Sequence, residues 1–231
     1  MDPTLAYVGV PGDEERFAHP AGGDVCTLVG LTPELWRALA GDAARLSMST
    51  VYVDARLDLT HRRLLAATLA RDVDFDVAEQ LLRLLTHVVD QVVSGPTPAA
   101  AASSTSSASS VDDRALVAEA RQAIGEDHPA ATGLLPLAGL LEVSPYRLSR
   151  AFTRELGVSL TRYRNRVRVG RALDRLEEGE PSLAALAADL GFADQAHLSR
   201  MMSEHLGHTP TAVRRLLSPP PQSRAVAGDP R

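Results

Sequence analysis

The spacing of apolar and polar residues separates a mixed N-terminal part from a helical C-terminal part. Before residue 31, the β-prone runs Leu5–Val10 and Val25–Val29 flank turn-forming sequence that includes His19–Asp24. Beyond this point the pattern predicts helices at 34–46 and 60–71. The first part is therefore expected to be a small α+β unit.

The most regular apolar stripe closes this N-terminal part. Its residues follow the spacing of one helix face: Val77, Leu81, Leu84, Leu85, Val88 and Val92. Such a face either packs within its own unit or forms a seam between two copies of the chain. The sequence leaves both interpretations open, and a homodimer through residues 77–93 is one of them.

Residues 112–217 have the pattern of a helix almost throughout. The predicted helices are 112–126, 134–141, 145–155, 160–177, 182–189, 194–205 and 210–217. The expected fold class is therefore mainly α, with a seven-helix C-terminal domain containing two helix-turn-helix units and a small α+β N-terminal domain.

Composition suggests where these bodies end. Residues 94–111 are rich in Ala and Ser and nearly free of large apolar side chains, so we expect a flexible linker. Residues 218–231 are rich in Pro and are expected to be a disordered tail. The predicted domains are thus 1–93 and 112–217.

The C-terminal body repeats itself. Leu137–Val143 aligns with Leu186–Phe192 at an offset of 49 residues, and Leu148–Arg150 aligns with Leu198–Arg200 at an offset of 50. Each copy has a Leu and a small residue where two helices approach, a short turn, and a polar amphipathic helix. These are the parts of a helix-turn-helix, and two copies are far more specific than one.

In each copy the second helix is the expected reader of DNA bases. Leu148 and Phe152 anchor the first reader inward, and Leu198 and Met202 anchor the second. The outward residues are the predicted base contacts: Tyr146, Arg147, Ser149 and Arg150 in the first copy, and Gln195, Ala196, Ser199 and Arg200 in the second.

These residues carry a family resemblance. The run LAGLLEVSPYRLSRAFTRELGVSLTRYRNRVRVGRALDRL, followed by LAALAADLGFADQAHLSRMMSEHLGHTPTAVR, closely resembles the AraC/XylS DNA-binding domain. The resemblance implies a sequence-specific transcriptional regulator that binds a double-stranded DNA operator, inserts both readers into successive major-groove segments, and has RNA polymerase as a partner. The chain departs from the family pattern at Leu198, Met202 and Val213, so we expect looser packing in the second copy.

Charge is concentrated near the first reader. The chain carries a formal net charge of −5, yet residues 147–175 contain nine arginines against Glu155 and Asp174. A basic stretch with few interleaved acids is typical of a nucleic-acid surface. The predicted phosphate contacts are Arg154, Arg162, Arg166 and His197.

The N-terminal part is similar to the later portion of the cupin-type sensor domain of this family. This resemblance lies in residues 15–27, and the residues before Leu31 supply too few strands for a complete barrel. We therefore do not expect a small-molecule effector pocket, and the unit is interpreted as a dimerisation domain or a truncated sensor.

Other chemistry is not indicated. Cys26 is the single cysteine, and no motif for a cofactor, metal, catalytic nucleophile or membrane span is found, so we expect no enzyme and a bacterial, cytoplasmic, nucleoid-associated protein. Two alternatives stay open beside the regulator: an interaction module that has lost DNA binding, and a catalytic protein with an appended DNA-binding domain.

Overall fold

A computed structural model describes residues 3–9, 26–41, 50–69, 74–94 and 111–217. The predicted turn at His19–Asp24, most of the predicted linker and the tail at 218–231 lie outside these residues. Among the described residues, no helix is both long and apolar enough to cross a bilayer.

The described residues of the N-terminal part form a two-stranded antiparallel sheet and three helices. Strand β1 (Leu5–Tyr7) pairs with β2 (Thr50–Tyr52), with Ala6 opposite Val51. The helices are α1 (Pro33–Ala40), α2 (Ala55–Leu69) and α3 (Asp74–Ser94). The strand expected at Val25–Val29 is not formed within residues 26–30, where Leu28 is 93% exposed and therefore has no apolar surface to pack against.

Two helix ends differ from prediction for local reasons. Helix α1 stops at Ala40 because Gly41 has a φ of +80° and its N–H donates to the Arg37 carbonyl, which closes the last turn. Helix α2 starts at Ala55, five residues before the predicted start. The Asp54 carboxylate there accepts hydrogen bonds from the N–H groups of Arg56 and Leu57, so Asp54 caps the helix.

The C-terminal part has seven α-helices among its described residues, as predicted. They are α4 (Val111–Gly125), α5 (Leu134–Leu140), α6 (Pro145–Leu156), α7 (Leu160–Glu177), α8 (Leu183–Asp189), α9 (Gln195–Leu206) and α10 (Pro210–Leu217), with a 3-10 turn at Pro129–Thr132. The 18-residue α7 connects the two helix-turn-helix units, α5–α6 and α8–α9.

Each helix-turn-helix unit has its own apolar core. In the first, Leu148, Phe152 and Tyr163 are at most 1% exposed, and the Phe152 and Tyr163 rings meet edge to face at 5.2 Å between centroids. In the second, Leu198 and Met202 are fully buried. Leu198, Met202 and Val213, the positions at which the chain departs from the family pattern, are thus all sealed from solvent.

The apolar stripe of α3 is largely used inside the chain. Val92 is fully buried in a cluster with Val51 and Leu57, while Leu84 and Val88 pack against that cluster. The stripe therefore packs within its own unit, and a homodimer through residues 77–93 stays a prediction.

The N-terminal part also reaches into the second core. Ala55 and Leu59 of α2 are 1% and 4% exposed, and both belong to the cluster that contains Leu173 and Met202. The body predicted to end at residue 93 therefore shares a core with the body predicted to begin at residue 112.

This shared core yields a stability prediction. Leu59→Ala should lower the free energy of unfolding by about 2–5 kcal/mol, since it removes a buried side chain and leaves a cavity. Leu65→Ala, on the same helix but 41% exposed, should change it by less than about 0.5 kcal/mol. Denaturant unfolding followed by tryptophan fluorescence and circular dichroism measures both. A Leu59→Ala loss no larger than that of Leu65→Ala would contradict the shared core.

Candidate nucleic-acid interface

The turns of the two helix-turn-helix units have the same backbone hydrogen bonds. The Val143 N–H donates to the Ala138 carbonyl at 3.0 Å, and the Phe192 N–H donates to the Ala187 carbonyl at 2.8 Å. The first donors of each turn, Leu141 and Leu190, are likewise bound to equivalent carbonyls, both at 3.1 Å. The sequence repeat is therefore a repeat of backbone geometry.

One residue of each turn adopts a left-handed conformation. In the second unit this is Gly191, with a φ of +68°, and in the first it is Glu142, with a φ of +53°. Glycine adopts this region without a steric penalty, whereas a side chain with a Cβ is strained there. The two turns thus have the same backbone conformation, but only the second has glycine, the favoured residue, at the left-handed position.

Both expected reader helices start with a capped N-terminus. The Ser144 hydroxyl accepts a hydrogen bond from the Arg147 N–H at 3.2 Å, and the Asp194 carboxylate accepts one from the His197 N–H at 2.6 Å. Each helix ends at a glycine with positive φ, Gly157 or Gly207. These signals fix where α6 and α9 begin and end.

The first reader, α6, presents a preorganised pair. Tyr146 is 69% exposed, and the Arg150 guanidinium donates to its hydroxyl at 2.7 Å while lying 5.4 Å from the ring centroid. Ser149 is half-buried and Arg147 is exposed. All four predicted base-contacting residues of α6 therefore lie on or beside one accessible face.

Two basic residues of α6 are held by an acid on α4. Asp113 forms ion pairs with Arg154 and with Arg147, the latter at 3.3 Å. The hydrogen bond from Arg154, followed by that from Arg147, holds the pKa of Asp113 below its ordinary value of 3.8. Sequence reasoning missed Asp113, since nothing local in α4 marks it as a partner for α6.

The second reader, α9, has a more open face. Gln195, Ala196 and Arg200 are exposed and Ser199 is half-buried. Within the described part of the chain, Arg200 has no hydrogen bond or ion pair with another side chain. Its guanidinium is thus available to a ligand in a way that Arg147 and Arg154 are not.

His197 supports the turn of the second unit. Its Nδ1 accepts a hydrogen bond from the Ala193 N–H at 3.3 Å, and its ring meets Phe192 edge to face at 5.5 Å. The residue is half-buried, so only part of the ring is accessible to the phosphate predicted for it.

The arginines of α7 mostly join elements of the protein to one another. Arg168 lies 4.0 Å from the centre of the Phe192 ring and donates to the Leu190 carbonyl at 3.0 Å. Arg171 donates to the carbonyls of Ile124 and Gly125 at the end of α4. Helix α7 therefore binds the end of α4 through Arg171 and the turn of the second unit through Arg168.

Arg166 does not have the position expected of a phosphate contact. It is 2% exposed, pairs with Asp58 at 2.9 Å and donates to the Val53 carbonyl at 2.9 Å. A phosphate oxygen has no access to this guanidinium while α2 is in place. Arg162 is exposed, Arg164 is half-buried, and neither has an acidic partner among the described residues.

Comparison with known proteins shows which domains this part of the chain is similar to. Residues 137–216 match the helix-turn-helix domain family model. The Arabinose operon regulatory proteins of Salmonella typhimurium and Escherichia coli are each 32% identical to this chain over 72 residues, which is 31% of the chain and 26% or 25% of those proteins. The match thus spans about a quarter of the length of these relatives.

A solved structure is also similar. The C-terminal domain of AraT, a response regulator from Geobacillus stearothermophilus, is 30% identical, with a TM-score of 0.41 over 43% of this chain and 84% of that one. From the family model and the curated relatives, residues 137–216 are a helix-turn-helix domain of the AraC type.

The paired turns generate a prediction about backbone strain. Glu142→Gly should stabilise the protein or leave its stability unchanged, since relief of the left-handed strain offsets the entropy of glycine. Gly191→Ala should lower the free energy of unfolding by about 1–2 kcal/mol, because it introduces the same strain. Thermal unfolding of both variants is the measurement. A stabilising Gly191→Ala would show that the turns are not equivalent.

Asp113 provides a second prediction. Nuclear magnetic resonance titration should give its carboxyl group a pKa below 3.8, so its ion pairs persist through neutral pH and weaken only as pH falls below that value. Arg154→Ala should raise this pKa more than Arg147→Ala, because the bond from Arg154 is the larger cause. Arg150→Ala is the matched control and should leave the pKa unchanged. Equal values in all four proteins would exclude the ion pairs.

Proposed function

We propose that this chain is a sequence-specific DNA-binding transcriptional regulator that inserts α6 and α9 into successive major-groove segments of a double-stranded operator. The observation that carries the proposal is the repeated turn, because it gives both helices the same entry geometry and leaves a polar face exposed on each. The AraC-type domain in residues 137–216 supports the same class.

The length of α7 suits this arrangement. Eighteen residues of α-helix rise about 27 Å, which is comparable to the roughly 34 Å of one duplex turn between adjacent major-groove segments on one face. A connecting helix of this length allows both readers to contact the same side of the DNA. One chain would then recognise two base segments.

We assign base contacts to the exposed or half-exposed residues of the two readers. They are Tyr146, Arg147, Ser149, Arg150, Gln195, Ala196, Ser199 and Arg200. An arginine on such a face presents two donors to guanine O6 and N7. Arg147 has to leave Asp113 to do so, whereas Arg200 has no such partner in the described structure.

Phosphate contacts are proposed for Arg154, Arg162 and the exposed part of His197. Arg162 is the best placed, since it is exposed at the start of α7 and has no acidic partner among the described residues. Arg154 has to exchange its bond to Asp113 for a phosphate oxygen. In this proposal RNA polymerase is a further partner, and the protein acts in the bacterial cytoplasm.

Binding-site selection distinguishes residues that contact bases from residues that contact phosphates. Arg150→Ala and Arg200→Ala should each lower operator affinity by on the order of 1–3 kcal/mol and relax preference at one base position in their own half of the site. Arg162→Ala should weaken all sequences alike and reduce the salt slope by about one unit. Arg215→Ala, an exposed change on α10, is the control.

The same experiment distinguishes the regulator from an interaction module that has lost DNA binding. If the wild-type protein selects no DNA motif, an interaction module without DNA binding becomes the better-supported hypothesis. If it selects a motif that Arg150→Ala and Arg200→Ala leave unchanged at every position, the protein binds DNA but these residues do not read it.

A further inference from the structure

We infer that residues 50–69 are a positioning element of the DNA-reading module: Asp58 and Arg62 hold the connecting helix α7 and thereby set the spacing of the two readers. The inference rests on the proposed function. It assigns a role to an N-terminal segment outside the AraC-type domain.

The first contact is a buried charge. Arg166 of α7 lies between Asp58 and the Val53 carbonyl, with both contacts at 2.9 Å. Gly170 makes room for it, since a Cβ there would lie 2.7 Å from the Arg166 guanidinium. A buried arginine without its acid is strongly unfavourable, so α7 is stable in this form only with α2 against it.

A second contact lies further along the same face of α7. The Arg62 guanidinium donates to Asp174 at 2.6 Å and Glu177 at 2.7 Å, and it also pairs with Asp58 at 2.9 Å. Burial opposes its charge, but the carboxylates of Asp58 and Asp174 outweigh burial and raise the pKa of Arg62. From Arg166 to Asp174 the two contacts span about 12 Å of helix.

Between these contacts α2 packs against the buried side of the second reader helix, α9. Ala55 and Leu59 share a cluster with Val169 and Leu173 of α7 and with Met202 of α9. Helix α2 therefore contacts both the connecting helix and the reader it supports. A shift of α2 against α7 and α9 therefore changes the position of α9 relative to α6.

The test uses the full chain with a matched pair of charge reversals. Arg62→Glu places a like charge among three carboxylates, whereas Arg63→Glu makes the same change on the next residue, which has no ion pair among the described residues. The probe is the selected operator, together with copies in which the two half-sites are moved apart or together by one base pair.

Arg62→Glu should lower affinity for the native spacing on the order of tenfold, because like charges in contact are costly. It should also reduce the preference for native over altered spacing, a readout that loss of folded protein would not change. Arg63→Glu should leave both values as in the wild type. If Arg62→Glu fails to fold, Arg62→Gln removes the ion pairs without adding repulsion and should show the same loss of spacing preference.

Hydrogen exchange measured without DNA tests the inference independently of the proposed function. Amides of α7 should exchange faster in Arg62→Glu or Arg62→Gln than in Arg63→Glu. Equal exchange, or an unchanged spacing preference in a folded Arg62 variant, overturns the inference. If the wild type selects no operator, the proposed function fails, and the exchange comparison still shows whether α2 holds α7.

Discussion

The buried guanidinium of Arg166 is the constraint on which the arrangement of the two halves depends. Breaking a buried pair by removing one partner costs about 3–5 kcal/mol, because a desolvated charge is left behind. The Asp58 carboxylate neutralises that charge, the Val53 carbonyl accepts a hydrogen bond from the guanidinium, and Gly170 leaves it space. Once this contact is made, β2 and α2 have a fixed position on α7, and the shared core around Leu59 follows.

The same helix shows why the charge of a segment is a weak guide to its surface. Among residues 147–175, most arginines are engaged inside the molecule: with carbonyls at helix ends, with an aromatic ring, or with carboxylates. The planar fork of arginine makes several such bonds at once, so it suits internal joints as well as phosphate. Within this stretch only Arg162 and Arg164 have no partner among the described residues, so its free basic surface is smaller than the sequence suggested.

Sequence reasoning succeeded where signals are local. Helix α7 was predicted at its observed bounds, and both reader helices were predicted to within one residue of theirs, because caps that act within a few residues set their ends. The early start of α2 was missed, although Asp54 is a cap of the same kind. The sequence did not identify which element packs against an apolar or charged face, because periodicity shows that a face is buried but not what buries it.

The two readers are built alike and yet are prepared differently for a ligand. In α6, Arg150 is restrained by Tyr146, and Arg147 and Arg154 by Asp113, so the side chains have already lost freedom before any encounter. Restraint lowers the entropy cost of binding only if the held geometry suits the ligand; otherwise the existing bonds have to break first. Tyr146 holds Arg150 on the accessible face, whereas Asp113 holds its partners toward α4. The first reader thus combines a preorganised contact with two that require exchange, whereas Arg200 of the second reader has no bond to exchange among the described residues.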